Sequence, residues 1–396
     1  MNPSVDIILT GGNLNIQPAD ASGVFGLVIA GAEPNIDLAP NGFALVKSKK
    51  QAKQLFAAYP GSVTNAVCAF YDEVSEGTPL YIFGSPDEQI EDIANIESGL
   101  ITHLVNFSGK RVKAIGLLTF YSVDTITEGL DTRIHTVIPL LQEQANSWKQ
   151  QNKPIEFLIE GKGYAGGALK NYATTQNTNV HCVLGAENGN TAISVVRALG
   201  RKAAFAVHRN IGRVKSGSLK IPTAAAVTLG NKAVGDWNKI DLGDIHDKGY
   251  ITYLVNENAP GFIFNDDISL CDPTSDFSAW SRNAVIGEAQ RIAYATYYRV
   301  LKDDFDVDDN GRLYTSDSKA LEQDIEDAIN NQIGNSISNV NAMVNPDPQA
   351  YAGLYTNANI DNPNFNLLSG GKIYVFLTIR PKGYIKDIVV ALGFGY

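Results

Sequence analysis

Three glycines, Gly161, Gly163 and Gly166, stand at GxGxxG spacing in "IEFLIEGKGYAGG", directly after an apolar, strand-like run. That spacing suits a tight turn that brings backbone close to a pyrophosphate at the N-terminus of a following helix. Glu187 ends the next strand-like run, where a dinucleotide-binding fold would place its ribose acid. A nucleotide-binding α/β enzyme using residues 161–166 is therefore one reading. Against it, "ALKNYATTQNT" is a short, poor helix, the motif sits mid-chain, and no partner catalytic set follows. Glycines serving tight turns are the other reading.

A second pattern, "DVDDNGRLYTSD", sets Asp306, Asp308, Asn310, Gly311 and Asp317 at the first, third, fifth, sixth and twelfth positions of a calcium loop. The last ligand is Asp where a bidentate Glu is usual, and one copy exists where such loops normally pair. The same residue types also build any exposed turn between helices. His103, His135, His181, His208 and His246 fall in separate elements without HxxxH or HxH spacing, so zinc is not expected. His208, beside Arg209 and Arg213 in "AVHRNIGRV", reads as the end of a strand and as a structural histidine before a catalytic one. No GxSxG elbow is present. The basic cluster "KSKKQAK" at 47–53 reads as a solvated helix face. No catalytic, cofactor-binding or metal-binding residue is assigned, and no enzyme is expected.

The elements that would position such residues come next. At 396 residues, 44% hydrophobic and 19% charged, the chain is long enough for two or three globular domains. A net charge of −10 argues against nonspecific nucleic-acid or anionic-membrane binding. Cys68, Cys182 and Cys271 are scattered and odd in number, which reads as buried thiols in a reducing compartment. No basic, apolar leader opens the chain and no apolar run reaches spanning length, so synthesis and folding in a cytosol are expected.

Residues 1–23 read as an extended arm around Gly11 and Gly12, and 24–100 as the first part of a body with a Ser-capped helix at 48–59. A single helix is expected over 90–107. Strand and helix then alternate through 101–270, with a short helix in "GGALKNYATT" and a strand in "AFAVHRNIGRV". Continuous apolar strands in such alternation predict an α/β layered domain around a mainly parallel sheet. Two long helices, from about 281 and about 318, precede an Asn/Pro-rich loop and a terminal strand pair, which predicts an α+β domain over 271–382. The end, "KIYVFLTIRPKGYIKDIVVALGFGY", holds two strand-like runs about a turn, and 383–396 reads as a C-terminal arm. A terminal β segment with nothing after it to cover its edge asks for a partner.

Four stretches are similar to contractile tail sheath proteins of phage tails, R-type pyocins and extracellular contractile injection systems. "GVFGLVIAGAE" resembles the first strand after that family's N-terminal arm, and "KAAFAVHRNIGRV" a buried strand running into a loop. "LGDIHDKGYITYLVNENAPGFIFNDDISL" matches a pattern carried by Lys248, Gly249, Tyr250, Pro260, Gly261, Asp266 and Asp267. "SDFSAWSRNAVIGEAQRIAYATYYRVL" resembles the long helix opening the conserved C-terminal domain. The resemblance covers nearly the whole chain. It implies hexameric rings stacked helically around an inner tail tube, with baseplate and tail-terminator proteins as further partners and no nucleic acid or membrane insertion. It further implies β arms that augment neighbouring subunits, through Val5, Ile7 and Leu9 at one end and Ile385, Ile388, Val390 and Leu392 at the other. Gly11, Gly12 and Gly383 would let those arms bend. Contraction would proceed by rigid-body motion without ATP, in a virion tail or a released particle. A cationic strip of Arg291, Arg299 and Lys302 is expected to face the tube.

Overall fold

The structure, a computed structural model, describes residues 24–31, 42–85 and 89–386. Its centre is an eight-stranded sheet. The strands are β1 (Phe25–Ala30), β2 (Phe43–Val46), β3 (Leu80–Ser85), β4 (Ala114–Thr119), β5 (Glu156–Glu160), β6 (Val180–Leu184), β7 (Tyr250–Val255) and β8 (Phe262–Phe264). They lie in the order β8-β7-β6-β5-β4-β1-β3-β2. The six inner strands run parallel, and β2 and β8 are antiparallel edges. Residues 24–100 thus supply three strands of the same sheet as 101–270. Every residue of β1, β3, β4, β5 and β6 is buried, as strands covered on both faces must be.

Helices cover the two faces. They are α1 (Lys49–Leu55), α2 (Gly61–Glu73), α3 (Ile90–Ala94), α4 (Leu100–Phe107), α5 (Thr132–Gln150), α6 (Ala192–Ala203) and α7 (Lys239–Asp247). Adjacent β1 and β4 residues show how close the layers come. A Cβ on Gly26 would lie 3.1 Å from Leu104 of α4, and one on Gly116 would lie 2.6 Å from Leu199 of α6. Side chains there would push the helices off the sheet. Ser48 caps α1 through the Gln51 N–H, as its sequence position indicates. The single helix expected at 90–107 is broken at Asn95 and Gly99, where Gly99 takes φ 68°.

Between α2, α6 and β7 lies a buried charge network. Arg197 donates to both carboxylate oxygens of Glu187 and to Glu73 at 3.3 Å, and Tyr253 donates to Glu187 at 2.9 Å. Arg197, Glu187 and Glu73 are all nearly inaccessible. Opposite charges and a phenol satisfy groups that would be costly alone. Glu187 is thus a packing acid inside the body.

A second core lies in the C-terminal part. Helix α8 (Trp280–Tyr298) brings Val285, Ala289 and Ile292, and α9 (Thr315–Ile333) brings Ile325, Ile329 and Ile333, each set at helical spacing. They pack under a two-stranded antiparallel ribbon, β9 (Ile337–Val344) and β10 (Val375–Pro381). The partner of β10 among the described residues is β9, "ISNVNAMV", and the run from Ile385, the other half of the expected terminal pair, lies mostly outside them. Residues 204–213 form turns instead of the expected strand, and 166–175 contain no helix.

Arg197→Met leaves two buried carboxylates without their cation, and a loss of about 3–5 kcal/mol in denaturant unfolding is expected. Ile325→Ala opens the second core and is expected to cost about 2–5 kcal/mol in the same measurement.

Candidate functional site

Antiparallel pairing leaves alternate backbone groups of each strand pointing away from the partner. In the ribbon, Asn345 donates to Tyr374 O at 2.7 Å. The register Val344↔Val375, Ala342↔Leu377 and Val340↔Ile379 therefore falls on outward-facing pairs. On the β9 side this edge is partly closed by the helix beneath it. Glu322 of α9 accepts from the Val344 N–H at 2.8 Å and Glu326 from the Ala342 N–H at 2.7 Å. On the β10 side, the outward N–H groups of Val375, Leu377 and Ile379 meet no partner among the described residues. None of the seven β10 residues is fully buried. Two carboxylates thus close one edge of a two-stranded sheet and leave the other open. A two-stranded sheet is marginal alone, and an open edge is a template for a further strand. Read from sequence, residues 337–344 are assigned no strand, so this edge was not foreseen.

The distal end of α8 carries a second exposed patch. Tyr294 and Tyr298 lie one turn apart with ring centroids 5.6 Å from each other, and Leu301 follows them. Lys153 stands over the Tyr294 ring at 5.3 Å. Of the expected cationic strip, Arg299 and Lys302 are exposed here. Arg291 is committed elsewhere, which corrects its place in an exposed strip. It donates to the carbonyls of Lys110, Val112 and Pro154 at 3.1, 2.9 and 2.7 Å, and burial lowers its pKa. It ties α8 to the body.

The GxGxxG segment does not make a phosphate cradle. No helix starts after it, so there is no N-terminus to face a pyrophosphate. A Cβ on Gly161 would meet Leu184 at 2.0 Å, and Gly163 and Gly166 take φ of 86° and 101°. Packing and turn geometry account for all three. At the carboxyl ends of β4 and β5, buried Glu160 accepts from Thr119 and Thr191. The nucleotide reading of residues 161–166 is corrected accordingly.

The calcium spacing also fails to converge. Asp308 accepts from the Asn310 and Arg312 N–H groups at 2.8 Å each, and the Asn310 carbonyl accepts from Asn366. Asp317 lies in the first turn of α9, and Asp306 is exposed. Residues 307–313 make a small hairpin closed by a Val307↔Leu313 bridge. Among the described residues, no three His, Cys, Asp or Glu side chains are grouped to hold a metal ion. His181 is buried between Glu156 and the Ile268 carbonyl and stacks on Trp280, while His208 bonds Ser336. The three cysteines are free thiols and buried. No helix among the described residues is long and apolar enough to cross a membrane. Of the expected arm residues, Ile385 is described and is 77% exposed. Val5, Ile7, Leu9, Gly11, Gly12, Ile388, Val390 and Leu392 lie outside the described residues.

Solved structures with the same architecture are contractile sheath proteins. The contracted helical sheath of the anti-feeding prophage is similar at 10% identity, with 99% of this chain and 98% of that chain covered and a TM-score of 0.61. The contracted PVC sheath of an extracellular contractile injection system is similar at 11% identity, with 99% and 97% covered and a TM-score of 0.60. A sheath tail protein from Desulfitobacterium hafniense is similar at 9% identity, with 86% and 95% covered and a TM-score of 0.52. At such identities the likeness establishes the fold, which is that of contractile tail sheath proteins. No curated protein matches the sequence. A family model described as "DUF2586, N-terminal domain" matches residues 2–267. With that share of its length matched, the chain belongs to the DUF2586 family.

Proposed function

We propose that this chain is the structural subunit of a contractile tail sheath. It polymerises as helically stacked hexameric rings around an inner tube and contracts to drive the tube through a target envelope. The open edge of β10 is the observation that carries this reading. A body with two well-formed cores carries a ribbon whose Val375, Leu377 and Ile379 N–H groups have no partner among the described residues. A strand donated by a neighbour completes that edge, with main-chain hydrogen bonds supplying affinity and alternating side chains supplying register. Val5, Ile7 and Leu9, or Ile385, Ile388, Val390 and Leu392, are the donated residues. A contact between one subunit's arm and another's ribbon is heterologous, so it does not close on a dimer and propagates as a helix.

Contraction on this reading is a rearrangement of rigid bodies between a metastable extended state and a compact one, with the arms keeping the subunits connected. It needs no nucleotide and no catalysis, which agrees with the packing roles of Gly161, Gly163, Gly166 and Glu187. The inner tube is the partner proposed for the end of α8, through Arg299 and Lys302 beside Tyr294 and Tyr298. Baseplate and terminator proteins would cap the two ends of the polymer. The particle would assemble in a bacterial cytoplasm and act as a virion tail or after release.

Leu377→Pro deletes one outward N–H from β10 without touching the bonds to β9, whereas Leu377→Ala keeps that N–H and trims the side chain. Electron microscopy of the purified variants is expected to show cylinders for wild type and Leu377→Ala and none for Leu377→Pro. Cylinders of normal length from Leu377→Pro would refute strand donation at this edge.

A further inference from the structure

Beyond β10 the chain crosses from the second core to the main sheet. Lys382 is tied to the second core, its N–H to the Ser336 carbonyl at 3.2 Å and its Nζ to the Asn335 carbonyl at 2.8 Å. Tyr384 then donates to Asp267 Oδ1 at 3.3 Å, and Lys386 Nζ donates to Asp266 Oδ2 at 2.6 Å. Asp266 and Asp267 directly follow the β8 region of the sheet and are almost wholly buried. Between these ties the segment spans a cleft of about 670 Å³, and Ile385 points into solvent at 77% exposure. Ile385 therefore adds little packing to the strap, which is held by the partly buried Tyr384 ring and by the polar ties.

The receiving side is built rather than incidental. Asn210 donates to both carboxylates, and His246 Nε2 stands 3.3 Å from Asp266 Oδ2. Asp267 Oδ2 accepts from the Ser281 N–H at 3.0 Å, so the same group also holds the start of α8. We propose that Tyr384 and Lys386 tether the root of the C-terminal segment to Asp266 and Asp267, so that load on residues beyond Lys386 enters the molecule at the main sheet. Gly383, expected from sequence as the bend, sits between two tied residues, Lys382 and Tyr384. The consequence for contraction rests on the sheath reading. The tether itself does not.

Charge sets the pH range of the tether. Burial opposes ionisation of Asp266, but hydrogen bonds from His246 and Lys386 outweigh it and hold the carboxyl well below the usual range. The His246 pKa is raised, first by its bond to Asp266. The charged groups around His246 are Asp266 from the sheet, Asp247 on its own helix at 3.2 Å and Lys386 from the strap, with Arg209, Arg213 and Lys382 lining the same cleft. A lowered carboxyl contributes in full above its unfolded pKa, about 4, and that contribution is lost as pH falls through the lowered folded value. Lys386 lowers the His246 pKa, so protonation of His246 does not strengthen the Lys386 tie.

All three native cysteines are buried, so spin labels can be directed to the exposed positions 240 and 385 in the full chain through Ile240→Cys and Ile385→Cys. One narrow distance peak is expected, and Lys386→Met combined with Tyr384→Phe is expected to abolish it. Asp266→Asn tests the same contact from the body side. The peak should hold above about pH 4 and broaden as acid protonates Asp266. A broad distribution in the parent, or a narrow one that survives the paired substitution, overturns the tether. Cylinder formation is scored separately. A loosened tether with unchanged cylinders overturns its part in bearing load, whereas a parent that forms no cylinders counts against the sheath reading and leaves the distance result to decide the tether.

Discussion

Buried Asp267 sets where helix α8 and the C-terminal part leave the main sheet, and Arg291 holds the same helix to the body further along. Helix α8 starts at Trp280 without a side-chain cap of its own, because its N-cap residue is Ala279. Its first N–H groups find their partners at Asp267, the Trp280 N–H at the backbone carbonyl and the Ser281 N–H at Oδ2. A carboxylate at a helix N-terminus satisfies orphan donors and faces the positive end of the helix dipole. The nearby ammonium of Lys202, wholly buried, donates to the carbonyls of Val207 and Arg209, and burial lowers its pKa to about 8. This arrangement points α8 out of the main sheet, and α8 with α9 then supports the ribbon.

The rest of the architecture follows from where backbone hydrogen bonds end. Inside the main sheet every strand from β7 to β3 has a neighbour on both sides. Its two edges are short antiparallel strands, a common way to limit an exposed edge. In the ribbon the provision is unequal. Glu322 and Glu326 occupy outward donors of β9, and β10 keeps its own. Among the described residues, no side chain takes up the outward donors of β10.

Several residues whose spacing suited chemistry are taken up by packing and turn geometry in the fold. GxGxxG requires a strand before it and a helix after it, and only the strand is present. The Asp and Asn spacing of 306–317 satisfies a calcium loop in one dimension, but a hairpin pinned by Asn366 turns Asp308 towards backbone N–H groups. Arg291 looked free on a helix face, yet three carbonyls from two loops of the body converge on its guanidinium. In each case the residue types were right for the chemistry, and contacts distant in sequence assigned them to packing.

The sequence alone determined the features that depend on local periodicity and composition. These are the buried parallel strands, read from unbroken apolar runs, the amphipathic faces of α8 and α9, and the Ser48 cap. It also carried enough ordered pattern to resemble the sheath family. Only the tertiary structure decided which strand pairs with β10, which edge of the ribbon stays open, and where the C-terminal segment is tied down. Those outcomes turn on contacts such as Glu326 with Ala342 and Lys386 with Asp266, the second joining residues 120 positions apart. Backbone periodicity says which way a side chain faces, but it carries no information about which distant group will meet it.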